Sequence, residues 1–297
     1  MATVQNATQR SVKSAERVLD ILEFVGPHVD GASFTRIGAA LSIPKSSLHA
    51  LLDALVQRGY LEIEPERRRY RLGIRVWESG QAYARHHDVI DVARAVLRDI
   101  VDKVNETAQL ARLSGRDKVY LAKVESSHAL RLQSETGSRL PAHATGVGKA
   151  LLAQLPCETV AAILGGKDGG TALPRFTPTT HATLASLAEE LAETRRRGFA
   201  IDNAEHTLGV FCLSVPVTDR SGQPSLALSV SLPMIRLTRR RLAAILEEIA
   251  QGSLSISQRI GAPRTDPALE PLAVAGAGEA AIAAILGSGH YPITVSE

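Results

Sequence analysis

The N-terminal fold is decided by one stretch, which reads Ser42-Ile-Pro-Lys-Ser-Ser-Leu-His-Ala-Leu-Leu-Asp-Ala-Leu-Val-Gln-Arg-Gly-Tyr-Leu61. Its leucines at positions 48, 51, 52 and 55 recur at the spacing of one helix face, which predicts a helix with one apolar side. Pro44 suits the first turn of this helix, and Gly59 suits a left-handed cap at its end. The apolar side belongs in a core, so the opposite side is available for another contact.

The other side of this helix carries short or basic side chains near its N-terminus. Such side chains donate hydrogen bonds to phosphates and base edges, as the first turns of a DNA-recognition helix do. The residues that we expect to contact DNA are Lys45, Ser46, Ser47 and His49. Taken alone, the stretch is also compatible with a plain core helix. His49 is equally compatible with a side chain that makes no base contact.

The segments before this stretch complete a helix-turn-helix. Apolar residues at helical spacing predict a helix over 12–25, with Ser11 or Ser14 as its N-cap. Ser33 or Thr35 suits the N-cap of a second, short helix. Only a few residues separate that helix from the stretch 42–61, which is the spacing of a helix-turn-helix.

A β-hairpin is predicted directly after the recognition helix. Residues 60–64 and 68–72 read as strands on either side of a break at Pro65-Glu66-Arg67. The hairpin would place a group of basic side chains beside the helix, although each arginine alone is equally well explained by solvent or phosphate contact. The hairpin residues that we assign to DNA binding are Arg67, Arg68, Arg69 and Tyr70.

Composition and charge favour two domains, of which the first is basic. The chain has 297 residues and 44% hydrophobic content, enough for two separate cores. Residues 1–75 hold 11 Lys or Arg and 8 Asp or Glu, while the remainder holds 23 of each sign. The net charge of +3 therefore lies entirely in the first quarter, which is typical of a nucleic-acid footprint.

Several classes of protein are disfavoured by the sequence. The two cysteines, Cys157 and Cys212, have no CxxC spacing, which argues against a disulfide scaffold or a zinc ribbon. Residues 1–10 are polar, and no segment approaches the ~20 apolar residues of a membrane span. We expect a disordered segment at 1–10, no metal or other cofactor, no membrane contact and a cytoplasmic location.

The rest of the chain predicts an α+β sensor domain. A connecting helix is expected over 73–87 and an amphipathic helix over 89–104. Strands are predicted at 107–113, 118–125, 130–134, 199–203, 210–217 and 225–232, and helices at 146–154, 157–164, 183–197 and 238–259. This order favours one mostly antiparallel sheet. The segment 273–289 predicts a weak helix or disorder.

Two of these strands present small polar side chains on one face. Ser229 and Ser231 alternate with apolar residues in one strand, and Cys212 does so in the other. The segment Thr145-Gly-Val-Gly-Lys149 leads into a helix whose first amides suit a carboxylate. Together these features predict a pocket, although satisfied serine hydroxyls and an inert buried thiol remain alternatives.

Motifs for catalysis are not found, and no catalytic residue is predicted. A phosphate-binding GxxxxGK[ST] loop would need Gly at 143 and Ser or Thr at 150, where the chain has His143 and Ala150. The sequence also contains neither G-x-S-x-G nor H-E-x-x-H.

Four stretches resemble the IclR-type bacterial transcriptional regulators. They are Ile43-Pro-Lys-Ser-Ser-Leu-His-Ala-Leu-Leu52 with Arg58-Gly-Tyr60, Tyr70-Arg-Leu-Gly73, Leu140-Pro-Ala-His-Ala-Thr-Gly-Val-Gly-Lys-Ala150, and Arg197-Gly-Phe-Ala-Ile-Asp-Asn-Ala-Glu205 through Gly209. The resemblance implies dimers, or dimers of dimers, on palindromic operators. It also implies a winged helix-turn-helix at 11–73, a linker helix at 74–88, a GAF-like effector-binding domain at 89–261 and a C-terminal extension at 262–297.

The same resemblance implies an effector, a small molecule that controls DNA binding. It places effector contacts at Gly146, Val147, Asp202, Cys212, Ser229 and Ser231, and it implies a small organic acid. An ionised Asp202 would repel a carboxylate unless it accepts a hydrogen bond, so we expect an effector with both a carboxylate and a donor. A repressor is favoured over an activator; the alternatives are an enzyme acting on a small acid and a DNA-binding dimer without effector.

Overall fold

The structure is a computed structural model that describes residues 12–64, 66, 68–85, 89–129, 135–165, 170–287 and 291. The chain forms two compact units, Met1–His87 and Asp88–Glu297. The expected disorder at 1–10, the predicted strand at 130–134 and Arg67 lie outside the described residues.

The first unit is a winged helix-turn-helix. Its described helices are α1 (Lys13–Val25), α2 (Phe34–Leu41), α3 (Lys45–Gln57) and α4 (Ile74–Arg85). Its strands are β1 (Ala32–Ser33), β2 (Leu61–Glu64) and β3 (Arg69–Leu72), which pair antiparallel in the order β1-β3-β2. β2 and β3 are the predicted hairpin, whereas β1 was not predicted from the sequence.

α3 is the helix predicted from the stretch 42–61. Three of its four leucines are buried and Leu51 is half-buried against the same core. Pro44 is the N-cap with extended backbone, so its predicted place inside the first turn is wrong by one residue. Gly59 has φ +74°, as predicted for the helix end, and Ser42 has φ +51° in the turn between α2 and α3.

The caps of the first two helices agree only in part with the prediction. Ser33 caps α2, since its hydroxyl accepts a hydrogen bond of 3.3 Å from the Arg36 backbone N–H. The N-cap of α1 is Val12, which makes no side-chain cap, and Ser14 lies inside the helix. The predicted Ser14 cap of α1 is therefore wrong, because the helix begins two residues earlier than a Ser14 cap requires, and Ser11 lies outside the described residues.

The second unit contains an antiparallel sheet of six strands. They are β4 (Thr107–Ser114), β5 (Asp117–Val124), β6 (Arg139–Pro141), β7 (Ala200–Asn203), β8 (Val210–Val217) and β9 (Leu226–Pro233). The sheet order is β6-β5-β4-β9-β8-β7, and each neighbouring pair is antiparallel. β6 was not predicted, because three residues are too few to show an alternation.

Helices cover both faces of this sheet. The described helices of the second unit are α5 (Val89–Val104), α6 (Gly146–Leu152), α7 (Cys157–Leu164), α8 (Leu184–Arg197), α9 (Arg239–Arg259) and α10 (Ala277–Gly287). α5 and α9 pack on one face: a Cβ added to Gly252 would lie 2.7 Å from Ile100 and 3.2 Å from Leu228. α6 lies on the other face, next to Ser214. The predicted α+β class and mostly antiparallel sheet are confirmed, and the weak helix at 273–289 forms as α10.

A cluster of buried charges joins α6 and α8 to the segment after β7. The side chain of Lys149 is fully buried, and its ammonium donates to Glu190 at 3.2 Å and to Glu205 at 2.5 Å. Arg197 and Tyr291 also donate to Glu190. Burial disfavours the charged ammonium, but the two carboxylates outweigh it and hold the Lys149 pKa above its usual range.

Loss of the Lys149 charge should destabilise the protein strongly. Lys149→Met leaves the carboxylates of Glu190 and Glu205 buried without their shared cation, which typically costs about 3–5 kcal/mol. Lys103→Met is the matched control, because its ion pair with Glu248 lies at the surface and is worth less than about 1 kcal/mol. Urea unfolding followed by far-UV circular dichroism measures both losses, and equal losses would contradict the structural role of Lys149.

Candidate functional site

Three of the four predicted DNA contacts on α3 lie at the surface. Lys45, Ser46 and His49 are exposed, and Ser47 is half-buried. The His49 ring nitrogen Nδ1 lies 2.8 Å from a carboxylate oxygen of Asp53, one turn later in the helix. The N-terminal half of α3 therefore presents a positive, hydrogen-bonding surface, with His49 oriented by its neighbour.

The wing residues divide into one exposed arginine and two side chains with structural contacts. Arg68 is exposed in the turn between β2 and β3, where its φ is +47°. The guanidinium of Arg69 donates to the backbone oxygen of Asp30 at 3.3 Å. Tyr70 is half-buried against the core of the first unit. Among the described wing residues assigned to DNA, Arg68 is thus the best placed for a phosphate.

The second unit contains a cavity of about 230 Å³ between the sheet and α6. Strand register explains how it forms: Cys212 is paired with Ser231, and Ser214 with Ser229, so polar side chains of β8 and β9 share one face. All six residues predicted for the effector line this cavity, namely Gly146, Val147, Asp202, Cys212, Ser229 and Ser231.

Gln109 of β4, which was not predicted, connects the two serines of the cavity. Its side-chain oxygen accepts from Ser229 at 3.2 Å and from Ser231 at 3.4 Å, and Cys212 donates to Ser231 at 3.1 Å. The serines are therefore satisfied within the sheet and form a fixed polar floor. The hydroxyl oxygen of Ser214 differs, because it is buried and has no hydrogen-bond partner among the described residues.

Asp202 is a protonatable group in the cavity wall. One of its oxygens accepts from the backbone N–H of Glu205 at 2.8 Å. Burial, followed by the nearby charge of Glu205, raises the Asp202 pKa to about 7. Near neutral pH a large share of Asp202 is therefore a neutral acid that can donate to a carboxylate, which removes much of the repulsion expected from the sequence.

Backbone geometry brings α6 close to the polar floor. A Cβ added to Gly146 would lie 2.6 Å from the Ser214 hydroxyl, so only glycine allows this approach. The side chain of Thr145 caps the helix by accepting from the Gly148 N–H at 3.3 Å. The helix ends at Leu152 rather than at the predicted residue 154.

Other candidate groups have structural explanations. Burial raises the pKa of Cys212 well above its usual range, so its thiol stays protonated and serves as a hydrogen-bond donor. His143 contacts the backbone oxygen of Pro174 at 2.9 Å. Within the described residues no group of three or more His, Cys, Asp or Glu side chains is arranged to hold a metal ion.

Three further residues at the cavity were missed by the sequence reasoning. Tyr120 and His206 line it, and the ammonium of Lys118 lies over the Tyr120 ring. Lys118 and Tyr120 share a face of β5, and their alternation with apolar neighbours was a signal in the sequence. The strand irregularity next to Ala111, which decides what they face, was not visible there.

A winged helix-turn-helix followed by an α+β domain with a cavity lined by both polar and apolar residues defines a regulator whose DNA-binding and sensor domains lie in the same chain. The chain belongs to the IclR family of ligand-responsive transcriptional regulators. Residues 14–65 match the IclR helix-turn-helix domain, and residues 81–258 match the C-terminal domain of bacterial transcriptional regulator IclR. The GAF-like fold of the second unit agrees with this membership.

Individual relatives cover most of the chain. The HTH-type transcriptional regulator XynR of Escherichia coli K12 is 35% identical over 85% of this chain and 98% of its own length. The transcriptional repressor IclR of the same strain is 30% identical over 85% and 92%. The crystal structure of Thermotoga maritima IclR superposes with a TM-score of 0.67 at 26% identity, over 84% of this chain and 99% of that one.

No described helix combines the length and the apolar character that crossing a bilayer requires.

The protonation of Asp202 should make stability depend on pH. The folded chain keeps this proton up to about pH 7, whereas an unfolded chain releases it near 3.8. The free energy of unfolding should therefore fall between about pH 4 and 7, by up to roughly 4 kcal/mol from this group. Asp202→Asn should remove that part of the slope in urea unfolding.

Asp219→Asn is the matched control for this measurement. Burial raises the Asp219 pKa, but hydrogen bonds from Ser221 and Ser225 outweigh it and hold the pKa below its usual range. Its stabilisation is therefore present above about pH 4 and lost only below it, so the slope between pH 4 and 7 should not change. Equal slopes in wild type and Asp202→Asn would show that Asp202 is ionised in the folded protein throughout this window.

Proposed function

We propose that the chain is an operator-binding repressor whose affinity for DNA is set by a small organic acid held in the cavity of the second unit. The observation that carries the proposal is the cavity itself. Its walls combine the satisfied serine pair, a protonatable carboxyl at Asp202 and a glycine at 146 that admits the backbone of α6. The serine oxygens can accept hydrogen bonds and a protonated Asp202 can donate one, a combination that suits a small molecule with a carboxylate and a hydroxyl or oxo group.

The DNA contacts are proposed for one continuous surface of the first unit. The start of α3 would enter the major groove with Ser46, Ser47 and His49, while Lys45 and Arg68 would contact phosphates. Arg69 and Tyr70 would support the wing through their packing. Arg67 stays a prediction from the sequence.

The assembly proposed is a homodimer, or a dimer of dimers, on a palindromic operator in the bacterial cytoplasm. In a symmetric dimer the two recognition helices would lie ~34 Å apart, one turn of DNA. The naming of an E. coli relative as a repressor supports repression as the output, and the naming of both E. coli relatives as transcriptional regulators supports a regulator rather than an enzyme.

Loss of a single proposed phosphate contact should weaken DNA binding at every sequence. Lys45→Ala and Arg68→Ala should each reduce the affinity for the upstream intergenic DNA and flatten its dependence on salt by about one counterion. Fluorescence anisotropy of labelled DNA at 50 and 200 mM salt measures both effects. Lys103→Ala, which removes the same charge from the second unit, is the control, and wild-type binding by both test variants would overturn the proposed surface.

Binding of an acid in the cavity should stabilise the protein. At 100 times its dissociation constant a ligand adds ~2.7 kcal/mol to the free energy of unfolding. A thermal-shift panel of 4-hydroxybenzoate, lactate and pyruvate tests this. Gly146→Ala, which crowds the Ser214 hydroxyl, should abolish the shift, whereas Gly170→Ala has no atom within 4 Å of its added Cβ and should retain it. A panel without any shift, or an equal shift in Gly146→Ala, would contradict an effector at this site.

A further inference from the structure

Lys118 is a second buried lysine of this unit, and its ammonium is unpaired. The side chain is fully buried, and Nζ has no hydrogen-bond partner within the described parts of the chain. It lies over the face of the Tyr120 ring, which offers attraction to a cation but accepts no normal hydrogen bond. An ammonium has three N–H donors, so a buried one without an acceptor is held at considerable cost.

The strand register places this ammonium on the cavity side of the sheet. Lys118 and Tyr120 lie two residues apart on β5, and Tyr120 is paired with Ala111 of β4. Ala111 is paired in turn with Ala227, which shares its face of β9 with Ser229. Tyr120 and Ser229 both line the cavity, so Lys118 lies on the same face of the sheet as these residues, with its ammonium next to the Tyr120 ring.

The electrostatics of the cavity place Lys118 close to the groups already described. The ammonium interacts electrostatically with the Cys212 thiol and with Asp202, and burial, followed by the charge of Lys118, lowers the pKa of His206. These three groups belong to β8, to β7 and to the segment after β7. The ammonium is thus near several cavity-lining side chains, yet it is hydrogen-bonded to none of them.

We propose that Lys118 is the anion-binding group of the cavity, whose ammonium pairs with the carboxylate of the bound acid. This assignment rests on the proposed function, since it concerns the same cavity. The hydroxyl of Ser214, also buried without a partner, supplies a hydrogen bond to the second polar group of the ligand. Together the two unpartnered groups select a hydroxy or oxo acid over its neutral amide, because an amide carbonyl can accept a hydrogen bond but leaves the positive charge of the ammonium uncompensated.

Anion binding by Lys118 has a distinct pH signature. Burial lowers the Lys118 pKa to about 7, although interactions with Cys212 and Asp202 partly oppose this. An incoming carboxylate favours the charged amine, so above pH 7 binding takes up a proton and affinity falls by up to tenfold per pH unit. The groups that face the ammonium are Tyr120 on its own strand, Asp202, Cys212 and His206, and of these Asp202 releases its proton near the same pH.

The test compares Lys118→Met with Lys123→Met, which removes another lysine of β5, one that pairs with Glu125 just after the strand. Thermal unfolding is followed without ligand and with 4-hydroxybenzoate, lactate or pyruvate, or the amide of each. Lys118→Met should raise or leave unchanged the midpoint of the ligand-free protein, because an unpaired buried cation is removed. It should also lose the stabilisation by the acid, which Lys123→Met should keep.

The outcomes of this comparison distinguish the role of Lys118 from the existence of the effector site. Stabilisation by an acid that is equal in wild type and Lys118→Met overturns the role of Lys118 while the proposed effector site stands. A lower ligand-free midpoint in Lys118→Met, with the response to acid retained, identifies a structural lysine and overturns the proposal. Failure of every acid to stabilise the wild type contradicts both proposals together, and an equal response to acid and amide contradicts the role of Lys118 alone.

Discussion

The ammonium of Lys149 is the contact on which the second unit depends. It is fully buried and binds the carboxylates of Glu190 and Glu205, which lie 41 and 56 residues further along the chain. Each of the three charges would be prohibitively costly alone, so the three segments that carry them must close together. Glu205 then donates its backbone N–H to Asp202, which fixes a cavity wall. The tail contributes as well, because Tyr291, beyond the matched family region, donates to Glu190.

Two buried lysines in one unit show how the surroundings decide the role of a charge. Lys149 has two carboxylates, and its pKa is raised. Lys118 has an aromatic ring and no acceptor among the described groups, and its pKa is lowered to about 7. The charge of Lys149 is compensated by partners within the protein, and this pairing stabilises the fold. The ammonium of Lys118 lacks such a partner among the described residues, and the carboxylate of a bound acid would supply one.

Local patterns in the sequence were sufficient for much of the architecture. The leucine spacing of 42–61 predicts α3 because a helix repeats every 3.6 residues, and the alternation in 226–232 predicts which side chains of β9 share a face. Both depend only on neighbours along the chain. The family resemblance then connected Asp202 to the serine face, and the structure places both in the wall of one cavity.

The features that the sequence did not reveal depend on pairing between distant segments. Gln109 joins the serines only because β4 lies beside β9. Lys118 lies on the cavity side of the sheet only because the pairing of β5 with β4 is irregular next to Ala111. The protonation of Asp202 depends on its burial and on the charge of Glu205, which a sequence pattern does not report.

Control of DNA binding requires that the acid binds the DNA-competent and DNA-incompetent states of the protein with different affinities. The most direct measurement is the operator affinity of the full chain with and without a saturating acid, together with the acid affinity with and without operator. Both affinities should change by the same factor, typically between 5- and 150-fold. An acid that occupies the cavity with the same affinity on and off the operator, and leaves operator binding unchanged, would contradict control of DNA binding by this cavity.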